Sequence, residues 1–352
     1  MSVAAPAEDR RPLRVVTDVP DDQWDRYVEA HPDGTASHLS GWRRVIANAF
    51  GHETRYLAVE ADNRLEGVLP LVFFRSRLFG RFSVSMPFLN YGGLVADGPE
   101  AASALLEAAV EETRAREATH LELRHTRRSF ESLHARTHKV AMRLPLAATE
   151  TDQWDRLDRK VRNQVRKADK SGLVVEQGGE RLVEAFYEVF SLNMRDLGTP
   201  VYARRFFDEI LWTFPDRARI VCVRLDGRPI AASLIFRHRA AMEVPWASSL
   251  REFNHLCANV RLYWEMLRIA IEEGCRTFDF GRSTPDEGTF HFKKQWGAEP
   301  VPLVWEYWLA PGRAIPDLSP RNRRFRILIE GWKRLPVGVS RLLGPPIVRN
   351  IP

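Results

Sequence analysis

The stretch FDFGRSTPDEGTFHFKKQWG, residues 278–297, places Asp279, Arg282, His291, Lys293 and Lys294 among phenylalanines, a tryptophan and glycines. Its first part, TFDFG, reads as a strand with Phe278 and Phe280 on one face and Thr277 and Asp279 on the other. A carboxylate there costs free energy unless it is paired or hydrated. Arg282, three residues on, could supply the pairing; the other reading gives Asp279 a direct role at a substrate. His291 could relay a proton near neutral pH. A second concentration of charge is RKVRNQVRKADKSGLVVE, residues 159–176, the densest positive segment of the chain. Read as a helix ended by Gly172, it puts Arg159, Arg162, Arg166 and Lys170 on one stripe and Val161, Val165 and Ala168 on another. That basic stripe is either a solvated face or a dock for polyphosphate or RNA, with Arg162, Arg166 and Lys170 as the phosphate contacts.

Other chemistries find no support. The chain has neither GxGxxG nor GxxxxGK[ST], which argues against dinucleotide and P-loop sites. His125, His134 and His138 stand in a basic stretch without carboxylates or thiols at ligand spacing, so no metal site is expected. Cys222, Cys257 and Cys275 form no CxxC pair and read as reduced thiols. With 352 residues, 44% of them hydrophobic and 28% charged, the chain can build two ordinary globular domains. The net charge of +6 leans toward anionic partners. The start, MSVAAPAEDRRPLR, has no apolar core of a signal peptide, and no stretch has the length of a membrane span, so a cytoplasmic protein is expected.

The elements that must position these groups come in a repeat. RYLAVEADNRLEGVLPLVFF (55–74) and IVCVRLDGRPIAASLIF (220–236) each read as a hairpin, turning at Asp62-Asn63 and Asp226-Gly227, 164 residues apart. GTASHLSGWRRVI and GTPVYARRFFDEI, starting at Gly34 and Gly198, keep the same offset. A helix and then a strand follow each hairpin, so a duplicated domain is expected. DQWDR occurs at 22–26 and 152–156; if it marks both starts, the second half carries an insertion of 34 residues holding the basic segment. The second helix, at 260–273, is apolar around most of its circumference and reads as largely buried, with Asn259 to cap its start and Gly274 its end.

KVRNQVRKADKSGL, AASLIFRHRAAMEVPWASSLREFNHL and DFGRSTPDEGTFHFKKQWGAEPVPLVWEYW resemble the FemA/FemB/FemX family of peptidoglycan interpeptide-bridge transferases. The GRS…FKKQWG stretch and the tail WKRLPVGVSRLLGPPIVRNIP are similar to a Fem-like subgroup associated with exosortase and exopolysaccharide systems. The resemblance spans about residues 20–350 and implies an α/β (α+β) fold of two tandem GNAT-like acyltransferase domains, mixed β-sheets flanked by helices. The expected layout is a disordered tail over 1–12, domains over 13–150 and 151–312, and a segment over 313–352 packing back on the first domain.

By this resemblance Lys293, after Phe292, lies near the reacting carbonyl, where a fixed ammonium would stabilise the oxyanion while Phe292 and Trp296 exclude water. Arg43 or Arg44 and Arg204 or Arg205 match the family's basic contacts to the diphosphate of a UDP- or lipid-linked acceptor. Tyr202 lies beside the second pair, and Asn90-Tyr91-Gly92-Gly93 matches a cleft-lining turn. Tyr91, Trp246, Arg282 and Phe292 complete the candidate substrate contacts, and Lys293, Asp279 and His291 the catalytic ones. A CoA loop of the usual Q/RxxGxG/A kind is not evident, since ASSLREFNHLCAN (247–259) contains no glycine. Aminoacyl-tRNA is therefore the preferred donor and acetyl- or acyl-CoA the lesser one, with no cofactor bound. The implied activity is transfer of an acyl or aminoacyl group to an amine of a cell-envelope precursor. The alternatives are a CoA-dependent N-acyltransferase of polysaccharide modification and a non-catalytic glycan- or RNA-binding pair. A peripheral membrane contact through the C-terminal segment is open, and DNA is not an expected partner.

Overall fold

A computed structural model describes residues 12–77, 79–315 and 323–352, with side chains of the last segment from 328 onward; residues 1–11 of the expected tail lie outside the described residues. Both hairpins form. β2 (Glu53–Ala61) turns into β3 (Arg64–Ser76) through Asp62 and Asn63, and β9 (Ala218–Leu225) into β10 (Arg228–His238) through Asp226 and Gly227. Each turn has positive φ at both central residues (51° and 61°, then 49° and 81°). That is the twist a two-residue hairpin needs, and Asp, Asn and Gly adopt it most readily.

Around the hairpins the element order repeats. The first half runs β1 (Arg14–Val16), α1 (Asp21–Ala30), α2 (Trp42–Phe50), β2, β3, β4 (Gly80–Val84), a short β5 (Val95–Ala96), α3 (Pro99–Ala115), β6 (His120–His125) and β7 (His134–Pro145). After α4 (Glu150–Arg156) and α5 (Arg159–Asp169) the second half runs β8 (Val174–Gly178), α6 (Val183–Leu197), α7 (Arg204–Thr213), β9, β10, β11 (Ala241–Ser249), α8 (Ala258–Glu272), β12 (Thr277–Ser283), α9 (Gly288–Lys294) and β13 (Glu299–Leu309). The two DQWDR copies are not equivalent. Residues 22–26 lie in α1, whose counterpart by element order is α6, whereas 152–156 lie in α4. The pair α4–α5 therefore precedes the second repeat. The basic segment is helical only to Asp169; its end enters β8, an edge strand on β9.

Among the described residues the strands form one sheet in the order β1-β2-β3-β4-β6-β13-β7-β12-β11-β10-β9-β8, with β5 against β3. The halves exchange their last strands. β7 leaves β6 to pair with β12, and β13 leaves β12 to pair with β6 and β7. One sheet face buries a core shared by both halves: Trp24, Trp42 and Phe50 from α1 and α2 meet Phe186, Phe206 and Phe207 from α6 and α7. On the other face α3 covers the first half, and α8 with α5 covers the second. Val161, Val165 and Ala168 are the buried stripe of α5, as their spacing requires. α8 is apolar nearly all round because the sheet and α5 enclose it, and its polar stripe is spent on ion pairs of Arg261 with Asp169 and Glu265 and of Arg268 with Glu150 and Glu265. Cys257, not Asn259, is its N-cap residue; Asn259 is already helical. At the far end Gly274 and Cys275 donate back to Ile271 and Ala270, closing α8 as expected.

The C-terminal helices α10 (Arg323–Trp332) and α11 (Val337–Val348) follow β13. They rest on α6 through Arg195 Nη1 to the Leu335 carbonyl (2.9 Å) and Arg341 Nε to Ser191 Oγ (2.9 Å). They reach the first half where His52 Nε2 meets the Arg349 carbonyl at 2.6 Å.

Candidate functional site

Two adjacent strands in each half run parallel, and in both halves the pairing is short. β11 and β12 pair from Ala241↔Thr277 to Glu243↔Asp279. β4 and β6 pair at Ser83↔Leu121 and Val84↔Glu122. The register puts two carboxylates side by side only in the second half; at the first-half position Glu122 faces Val84. Glu122 is satisfied locally, accepting from Arg124 Nε and Tyr307 Oη at 2.8 Å each.

Beyond Asp279, β12 bulges: it gains one residue on β7 between Asp279↔Arg143 and Arg282↔Ala141. Gly281 makes the bulge with φ +73°, and a Cβ there would stand 3.1 Å from Asn90 Nδ2. Gly281→Ala is expected to cost about 1–2 kcal/mol for the left-handed backbone alone, read as a lowered urea midpoint at unchanged m-value.

The bulge turns its carbonyls toward α9. Lys293, 8% exposed, donates from Nζ to the carbonyls of Gly281 (3.1 Å) and Arg282 (2.9 Å). Burial lowers its ammonium pKa to about 8; the Asp279 charge opposes that shift and Arg282 adds to it. Asp279, 5% exposed, accepts the Gly281 N–H (2.8 Å), Arg143 Nε (3.2 Å) and the Tyr91 hydroxyl. Its ion-pair partner is therefore Arg143 on the exchanged strand β7 and not Arg282. Glu243, 9% exposed, accepts Asn90 Nδ2 at 2.9 Å. Burial, reinforced by the Asp279 charge, pushes its carboxyl up to about 8. Tyr91 titrates well above the usual phenol range through burial and the same carboxylate.

On the other side of the bulge two arginines lie over one indole. Arg124 is 4.5 Å and Arg282 5.6 Å from the Trp305 ring centre. Arg282 Nη1 is buried with no hydrogen-bond partner, and burial together with Arg124 holds its pKa down to about 10. Tyr202 faces both: burial raises its phenol pKa while Arg282 and Arg124 draw it back. Tyr91 and Arg124 also line a cavity of about 350 Å³ with His38, Gly93 and His125. Arg124 is itself paired with Glu122, so Arg282 is the cation left with an unused donor, a setting for an anionic group.

Of the residues singled out in the sequence, Lys293, Asp279, Tyr91, Arg282 and Tyr202 thus come together at the junction of the halves. The others do not. His291 is exposed on the opposite side of the short α9 and lines a separate cavity of about 500 Å³ with Phe292, Lys160, Gln164, Asn254, Cys257 and Asn259. Phe292 packs edge-on to Tyr263 (5.0 Å). Trp246 is a core residue against Phe206 and Phe207. Arg43 and Arg44 face an outer cleft between α1, α2 and α7, over Tyr56 and Trp212 respectively. Arg204 pairs with Glu184 and Asp208, and Arg205 with Glu209, on the exposed turn of α7. On α5, Arg166 and Lys170 are exposed and Arg162 half-buried. The groove beside α5 is lined instead by Arg159, Lys160 and Lys167, and shares Lys160 and Gln164 with the cavity at His291.

Glu243, Arg143 and Arg124 escaped the sequence reading. Each is a charge inside an apolar strand, in AMEVPW, VAMRLP and HLELRH, the same signal that draws attention to Asp279.

The profile of the acetyltransferase (GNAT) domain matches residues 155–294, a span that includes Glu243, Asp279 and Lys293. Among solved structures, FemX is 18% identical, covering 83% of this chain and 96% of its own, with a TM-score of 0.67. The fold is a tandem GNAT fold. A tandem GNAT protein from the clavulanic acid biosynthesis pathway aligns at 13% identity over 87% of this chain and 100% of its own, TM-score 0.54. The C-terminal domain of a putative lysylphosphatidylglycerol synthetase from Agrobacterium fabrum aligns at 11% over 81% and 90%, TM-score 0.55. No curated protein matches the chain in sequence. In the vocabulary of this fold, the carboxylate pair lies where the two parallel strands of the second GNAT unit part.

Proposed function

We propose that the chain transfers an acyl or aminoacyl group from an activated donor to an amine of a cell-envelope precursor. The observation that carries the reading is the buried Glu243–Asp279 pair at the parting of β11 and β12, with the Lys293 ammonium on the bulge beside it. In the reaction the amine nitrogen bonds to the donor's carbonyl carbon and negative charge moves to the carbonyl oxygen; as the carbonyl re-forms, the donor's oxygen or sulfur departs with the bonding pair and takes up a proton. One nitrogen proton must leave. Glu243, whose carboxyl is pushed up to about 8 and so exchanges protons close to neutral pH, takes it. Lys293 has three N–H donors and spends two on backbone carbonyls, so one remains for the oxyanion. Asp279, Arg143 and Tyr91 position the bulge, and Arg282, with its unpartnered Nη1, takes an anionic group of the acceptor. The cationic groove along α5, reaching Asn259 at the start of α8, takes the anionic part of the donor.

The test uses the full chain, an amine-bearing UDP-linked muramyl peptide, and donor labelled in its acyl group, either aminoacyl-tRNA or acetyl-CoA. Label is expected in the acceptor from aminoacyl-tRNA. Label from acetyl-CoA alone would move the assignment to a CoA-dependent N-acyltransferase. Label from neither would overturn the enzymatic reading in favour of a binding pair.

A further inference from the structure

A second surface lies far from this chemistry in role, at the C-terminal helix. The inner side of α11 is firmly seated. Arg341 bonds Ser191 and lies over the Tyr187 ring (5.4 Å), Ser340 and Val348 are buried, and Gly344 is so close to residue 201 that a Cβ would come within 2.8 Å of the Val201 backbone N and O. Its outer side is apolar. Val339, Leu342, Leu343 and Pro346 recur at i, i+3, i+4 and i+7 and are all exposed, Leu342 to 74% and Leu343 to 46%. A helix held this firmly gains nothing from presenting such a stripe to water.

One turn further on, Pro346, Arg349 and Asn350 become a wall of a cleft of about 1110 Å³. Its other walls carry Arg75, Arg77, Arg81 and Arg116. Arg81 is matched by Glu117, and Arg116 by Glu53 and Glu112. Arg75, Arg77 and Arg349 have no ion-pair partner among the described residues. The stripe and the uncompensated cations are thus one continuous surface.

We propose that this surface docks the protein on an anionic phospholipid bilayer, with Leu342, Leu343, Val339 and Pro346 entering the headgroup–acyl boundary and Arg75, Arg77 and Arg349 meeting lipid phosphates. An apolar helix face bordered by unpaired cations is what such a boundary attracts, since burial of the stripe and attraction of the cations to lipid phosphates add. A second copy of the chain fits less well: a two-fold contact through this stripe would bring the same cationic border against itself. No helix among the described residues is long and apolar enough to cross a membrane, so the contact is one of surface docking. The inference is independent of the acyl-transfer reading, and its test contains neither donor nor acceptor.

The full chain is sedimented with phosphatidylcholine vesicles, with and without phosphatidylglycerol, at low and high salt. Partition onto the phosphatidylglycerol vesicles at low salt is expected. The double variant Leu342→Asp/Leu343→Asp should lose about tenfold or more of it. Arg75→Ser/Arg77→Ser should lose a similar factor and most of the salt dependence. Both variants alter exposed positions, and unchanged melting temperatures would show that they fold. Failure of the folded wild type to sediment with phosphatidylglycerol vesicles would overturn the proposal. So would equal partition of the leucine variant, which would reduce the effect to bulk charge. Light scattering that finds a dimer dissolved by Leu342→Asp, with no vesicle binding, would overturn it in favour of self-association.

Discussion

Glu243→Gln is expected to slow acyl transfer by about 10²–10⁴-fold, the usual contribution of a positioned general base. The fold should survive, because a glutamine oxygen can still accept from Asn90 Nδ2. Wild-type turnover should rise with pH as Glu243 ionises and fall again above about 8 as Lys293 loses its proton, and the variant should lose the rising limb. Stability carries the opposite signature. A carboxyl whose pKa is raised in the folded state stabilises the protein while it is protonated, and that stability is lost as pH climbs from about 4.5 to about 8. Glu243→Gln removes this loss, so the variant should gain on the wild type between pH 5 and pH 8. The gain is on the order of 3 kcal/mol, since each tenfold change in proton affinity is worth about 1.4 kcal/mol. Urea unfolding across that interval measures it, and Lys293 begins to shed its own proton only at the upper end. A variant with full turnover would remove Glu243 from the chemistry. A flat difference in stability would show that its carboxyl is not held protonated.

Lys293→Met should lower kcat by about 10²–10³-fold if the ammonium stabilises the oxyanion. Here the structure adds a complication that the sequence does not reveal. The same ammonium donates to the carbonyls of Gly281 and Arg282, so Met also removes two charge-assisted hydrogen bonds, at about 1.5–3 kcal/mol each. Two readouts separate the roles. A merely structural lysine would give a variant with a lowered melting temperature whose folded fraction turns over normally. An electrostatic role predicts that kcat stays depressed at a temperature where the variant is fully folded, with KM for the donor little changed. Lys293 also differs from Glu243 in the sign of its pH effect on stability. Its lowered pKa means that stability rises between about 8 and 10.5 as the costly buried charge is neutralised. The Met variant should lack that rise.

Much of the local architecture was legible. The I′ turns at Asp62-Asn63 and Asp226-Gly227 followed from two-residue turns between apolar runs. The buried circumference of α8 and the two-sided α5 followed from helical periodicity. Asp279, a carboxylate inside a strand, needs a partner by sequence alone, but nearest in sequence is not nearest in space: the bulge at Gly281 carries Arg282 away toward Trp305. His291 and Lys293 look like one cluster because they are two residues apart, yet on a helix that spacing sends them to opposite sides. The offset between the DQWDR copies misleads for a related reason. A surface helix start can repeat by composition, whereas hairpin turns and packed strands repeat because the sheet requires them.

What the sequence by itself determined is the set of elements, their duplicated order and the kinds of charge they carry, because turn chemistry and hydrophobic period act over a few residues. Only the tertiary structure decided which elements meet. An unpaired strand edge offers the same N–H and C=O groups to any partner, so nothing local in β7 or β13 says that each will join the other half's sheet. That exchange puts Arg143 opposite Asp279, and the first-half turn brings Tyr91 to the same carboxylate across 188 residues of chain. The parallel register of β11 on β12 then draws Glu243 alongside, where burial and a like charge give it its proton affinity.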